Sequence, residues 1–130
     1  MRTLKINVLG HIYDVKIIKE NEIPEDLKTK HETMSGLCEN FSHELIVFQD
    51  EAKPANYRRL DLFEEKVAKH ELLHAYFHKS GLSKLISEDT EEAIVDMLAI
   101  NFNLIASNVS LIYEFFHDKE ATKWTLKNCS

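Results

Sequence analysis

Apolar and polar residues alternate along the first fifty positions of the chain, and the period then changes. Leu4, Ile6 and Val8 alternate with Lys5 and Asn7, and Gly10-His11 marks a turn into a second run from Ile12 to Ile18. Residues 19–33 are charged, contain Pro24 and have room for a short helical turn. Two more strands are predicted near residues 34–40 and 44–49, with Asn40 to His43 as their connection. The second of them, Glu44 to Gln49, is a possible sheet edge for an extended ligand.

From Tyr57 to Lys69 there is neither Gly nor Pro, and helix formers dominate. Phe63, Val67, His70 and His74 recur at three- and four-residue spacings, so one apolar stripe runs into a pair of histidines. Pro54 precedes the segment, where a helix start tolerates it, and Ser80-Gly81 is a plausible stop. A second helix is predicted to begin within Ser87 to Glu92, which offers cap residues and first-turn acids. Its inward face is Ala93, Ile94, Met97, Leu98, Asn101, Leu104 and Ile105. Val109 to Phe116 reads as a further helix in preference to a strand, and Trp124 in the tail is expected to dock on the core.

The fold class predicted is α+β: a small antiparallel sheet of about four strands packed against two or three helices. At 130 residues the chain reads as a single domain. Residues 1–50 supply mainly strands, 56–118 mainly helices, and 119–130 a tail.

The chemistry lies in His70-Glu71-Leu72-Leu73-His74. Histidines four apart share one face of a helix and can aim at one point, taking two corners of a tetrahedral zinc site. Glu71 is then placed to accept a proton from a zinc-activated water. A catalytic zinc needs a third protein ligand and an open fourth position. His78 continues the four-residue spacing, but three histidines on successive turns of a straight helix drift around the axis, which favours a role at the rim. Glu92 is the better candidate, because a helix returning antiparallel could present it to the metal and Asp96 to the back of a ligating imidazole. Glu88 and Glu91 read as first-turn acids complementing the helix dipole. Tyr76, His78, Tyr113 and His117 have the right chemistry to stabilise an oxyanion or form the rim. His31 and His43 read as surface turn residues.

Composition narrows the setting. The net charge of −6 argues against a nucleic-acid surface, and Arg58-Arg59 is the only arginine pair. Cys38 and Cys129 form no closely spaced pair, which fits a reducing cytoplasm rather than a disulfide scaffold. The first ten residues read as a strand rather than a signal peptide, and no eighteen apolar residues run together, so no membrane partner is expected.

With His70-Glu71-Leu72-Leu73-His74 followed eighteen positions on by Glu92-Ala93-Ile94-Val95-Asp96, the chain resembles a gluzincin, the HExxH…ExxxD class of zinc metallopeptidases. Met34 to Asn40, then Glu44 to Phe48, then the histidine helix resembles the layout of compact, phage- and mobile-element-associated peptidases related to the ImmA/IrrE group. It differs from many of them in carrying Leu72-Leu73 where they have a glycine. The resemblance covers roughly residues 30–105. It implies a minimal zincin-like fold, one zinc per chain on His70, His74 and Glu92, Glu71 as general base, and Asp96 orienting the first histidine. The function expected is hydrolysis of a peptide or protein substrate. The alternatives are a zinc-holding module that binds a repressor-like protein partner without cutting it, and a hydrolase of non-peptide bonds.

Overall fold

Strand formation follows the alternation. The computed structural model describes residues 1–49 and 60–118. Strands β1 (Arg2–Val8) and β2 (His11–Lys19) form an antiparallel hairpin whose turn places Leu9 and Gly10 at positive φ. Two 3-10 turns, Glu20–Glu22 and Glu25–Leu27, lead into a short helix α1 (Lys28–Thr33). Strands β3 (Gly36–Glu39) and β4 (Glu44–Gln49) form a second hairpin, and the helices α2 (Leu60–Lys79) and α3 (Glu88–His117) complete the order. The expected acidic loop around Pro54, the first turn of α2 from residue 56 and the tail with Trp124 lie outside the described residues.

The class is α+β, as the pattern predicts, but the sheet is mixed rather than antiparallel. Its strand order is β1-β2-β4-β3, and β4 lies parallel to β2, with Val15 opposite Leu45 and Ile17 opposite Val47. The connection from residue 20 to 35 is long enough to carry the chain past one strand position, so β3 starts at the far edge. The tight turn at 40–43 then folds β4 back antiparallel to β3 and into the gap beside β2. A hairpin inserted in this way must leave one parallel pair. The expectation of Glu44 to Gln49 as an edge is therefore overturned: among the described strands β4 is central, and β1 and β3 are the edges.

Central placement explains why Leu45, Ile46, Val47 and Phe48 are all buried. Ile46 and Phe48 pack with Ile18, Ile23 and Leu37 on one face, closed by Leu27. Leu45 packs with Val8, Tyr13 and Ala75 on the other, where Leu72 of α2 joins. Gly36 is what lets β3 approach α2. A methyl group there would lie 2.6 Å from the Ile46 carbonyl oxygen and 2.6 Å from Val67 Cγ1.

At the end of α2 Gly81 adopts φ +84, a left-handed cap that ends the helix and turns the chain. Ser87 then caps α3, its Oγ accepting the Thr90 N–H at 3.1 Å. Predicted as two pieces, α3 is one helix of 30 residues. The chain groups into two compact units, Met1–Ala99 and a second from Ile100 onward. α3 is also long and apolar enough to cross a membrane by length and composition, with an 18-residue window of mean hydropathy 1.4. Counting consecutive apolar residues misses that window, because Asp96 and several Asn and Ser residues interrupt it.

Candidate metal centre

The site is assembled by two helices and an edge strand. His70 and His74 stand one turn apart on α2, and their Nε2 atoms lie 3.1 Å from each other. The Glu92 carboxylate of α3 spans both, with Oε1 2.7 Å from His70 Nε2 and Oε2 3.0 Å from His74 Nε2. Tetrahedral zinc with arms of about 2.0–2.1 Å separates its ligand atoms by roughly 3.3 Å, so the donors are near the required spacing. Among the described residues these three form the group that could hold a metal ion. Two imidazoles and one carboxylate are a donor set suited to zinc, and they leave a fourth position for water.

Each imidazole is held from behind by its own carboxylate. His70 Nδ1 lies 3.0 Å from Asp96 Oδ1, and His74 Nδ1 lies 2.6 Å from Glu91 Oε2. Proton donation from Nδ1 to these acids would leave both Nε2 lone pairs free for a cation. Because His74 meets Glu91 while His70 meets Asp96, α3 runs antiparallel to α2.

Glu91 is the residue that sequence reasoning missed, having been read as a helix-start acid. Ser83, on the 3-10 turn Leu82–Lys84 after Gly81, donates its hydroxyl to the other Glu91 oxygen. Burial alone would raise the Glu91 carboxyl, but hydrogen bonds from Ser83 and His74 outweigh it and hold the group below its ordinary value. The signal available in advance was position: Glu91 is 17 residues after His74 and adjacent to the ligand candidate.

Glu71 points into the same cavity and is 9% exposed. Burial pushes its carboxyl up to about 7; the neighbouring His74 opposes that rise, and Glu92 adds to it. The cavity has a volume of about 710 Å³. Along one wall it is bounded by Gly36, Leu37 and Cys38 of β3. Burial, followed by the charges of Glu71 and Glu39, pushes the Cys38 thiol up to about 12, so it stays protonated.

The remaining candidates separate. His78 lines the cavity, whereas Tyr76 is exposed and is not part of the cavity's described lining. Tyr113 and His117 belong to the second unit, where their rings stack at 4.1 Å. His31 packs edge-on against Phe48, and His43, at φ +56 in the β3–β4 turn, stacks on Tyr13. Comparison with protein-family models, curated proteins and solved structures returns no match.

Proposed function

We propose that this chain is a zinc-dependent peptidase. The observation that carries the reading is the convergence of His70 Nε2, His74 Nε2 and the Glu92 carboxylate at a cavity that also holds the buried acid Glu71. A passive metal staple has no use for a buried carboxyl beside its ligands, and such a group costs stability whenever it ionises. A hydrolase needs one there.

His70, His74 and Glu92 would hold the ion, which when bound supplies a Lewis acid and a water of lowered pKa. Glu71, buried on the cavity wall beside the three donors, accepts a proton from the attacking water and returns it to the leaving nitrogen. Asp96 and Glu91 keep the two imidazoles in one tautomer and one orientation. His78, on the cavity wall, is the candidate to hydrogen-bond the developing oxyanion. An extended peptide fits beside β3, which pairs with β4 on one side only among the described strands. Backbone groups of residues 36–39 on the unpaired side would then hold the substrate as an added strand over the Glu71 wall of the cavity.

The test combines metal content with cleavage of an unstructured protein such as casein, or of a peptide library. Wild type should carry about one zinc per chain, and His74→Ala and Glu92→Ala should each lose it. Glu71→Gln should keep the metal and lose turnover by at least about 10²-fold. Metal binding without cleavage of any substrate would leave a zinc-holding binding module, and cleavage undiminished in Glu71→Gln would overturn the mechanism.

A further inference from the structure

Asn40 lines the cavity and follows β3 directly, where the chain turns back into β4. Asparagine is common in such turns because its side chain bonds the local backbone. Here it does something else. Its Oδ1 accepts two hydrogen bonds, from the Tyr13 hydroxyl of β2 at 3.0 Å and from the Cys38 thiol of β3 at 3.3 Å.

Those two donors settle which way the amide faces. Tyr13 is 0% exposed, and burial raises its phenol above the ordinary value, so the hydroxyl keeps its proton and needs an acceptor. The Cys38 thiol keeps its proton for the same reason. The Tyr13 ring is itself fixed, stacked on His43 at 4.9 Å. With Oδ1 turned to this pair, Nδ2 is turned away from them, and among the described residues nothing accepts from it. Its two hydrogens are what Asn40 can offer a ligand in the cavity.

Such donors are scarce there. Glu71, Glu88, Glu91 and Glu92 bring carboxylates to the described lining, which contains neither lysine nor arginine. The Ser83 hydroxyl is taken by Glu91, and the Cys38 thiol by Asn40 itself. His70 and His74 turn Nδ1 to carboxylates and Nε2 to the candidate metal position. That leaves Asn40 and His78. The acceptor an extended peptide presents is its backbone carbonyl, and a strand added along β3 takes donors from the β3 backbone until that strand ends at Glu39. The Asn40 amide stands where the next donor is wanted.

We infer that Asn40 is a substrate-binding residue, its Nδ2 donating to a backbone carbonyl of a peptide laid along β3. The peptide as ligand rests on the reading under Proposed function, but the test does not require turnover.

A random peptide library is selected on immobilised, zinc-loaded Glu71→Gln protein, and the recovered peptides are the probe in fluorescence anisotropy. Adding Asn40→Asp preserves the shape and the acceptor for Tyr13 and Cys38 but replaces the donor with a second acceptor. It should raise Kd about tenfold or more, with zinc content and far-ultraviolet circular dichroism unchanged. Should that variant fail to fold, Asn40→Ser, whose shorter side chain leaves the carbonyl out of reach, is read in the same way. Exchanging each peptide carbonyl in turn for a thiocarbonyl, a poorer acceptor, should weaken binding at one position, and that loss should vanish when Asn40 is replaced. An unchanged Kd, a thiocarbonyl loss that persists without Asn40, or a library from which nothing is recovered would overturn the assignment. Recovered peptides that wild type binds through Asn40 and leaves uncut would overturn the peptidase reading and uphold Asn40.

Discussion

At the scale of single residues the site is a set of charges kept in check by one another. Glu71 is the costly member. Its folded carboxyl stands at about 7 against an ordinary 4.5, so the folded state binds the proton more tightly than the unfolded state does. The penalty is absent below about pH 4.5, grows between there and pH 7, and is constant above. Glu71→Gln should therefore stabilise the metal-free protein at pH 8 by on the order of 2 kcal/mol and leave it nearly unchanged at pH 4. Urea denaturation at the two pH values checks this, and equal effects at both would remove the burial argument. Glu91 makes the opposite case, since it is valuable only through His74. Glu91→Ala, or Ser83→Ala more mildly, should weaken zinc binding about 10- to 100-fold while leaving one ion per chain at saturation. Competition with a chromogenic chelator measures that, and an unchanged affinity would make Glu91 a mere cap-region acid.

The elements show what local pattern can and cannot encode. The strands of both hairpins and α2 are legible because period two and period 3.6 are properties of each segment alone. Neighbour order is not such a property. Nothing in Glu44 to Gln49 records that β2 will lie beside it; the unbroken apolar run Leu45 to Phe48 hints at two buried faces but does not say whose. The candidate metal ligands on α2 are legible for the same local reason, since one turn of helix fixes their relation. Glu92 is legible as the third donor candidate, four residues before Asp96 on one face, but the part played by Glu91 is not, because adjacent acids lie about 100° apart on the helix and only the rotation of α3 against α2 decides which one backs His74. Gly36 shows the packing consequence at the level of an element. Gly36→Ala should push β3 off α2, costing about 1–3 kcal/mol and moving one wall of the cavity. Thermal unfolding gives the stability loss, and a rise in KM larger than the fall in kcat would place the effect in the substrate groove.

For the molecule as a whole, the three donors that could share an ion come from both sides of the turn at residues 80–87. Binding that favours the folded state alone should raise stability by about 2.7 kcal/mol at a hundredfold excess of zinc over Kd. Calorimetry should show a higher Tm with zinc, reversal with chelator, and no response in His74→Ala. A Tm indifferent to zinc would mean that the three donors do not share one ion.

The two helices that donate those ligands have a consequence for conformational freedom. An ion held by His74 and Glu92 closes a ring of chain through Gly81 and Ser87, as a removable cross-link would. Loaded, that turn would be tethered at both ends; stripped, it would lose the tether through the ion and keep the Ser83–Glu91 hydrogen bond. Susceptibility of residues 80–87 to an added protease would then report, on intact protein, whether a metal is in place.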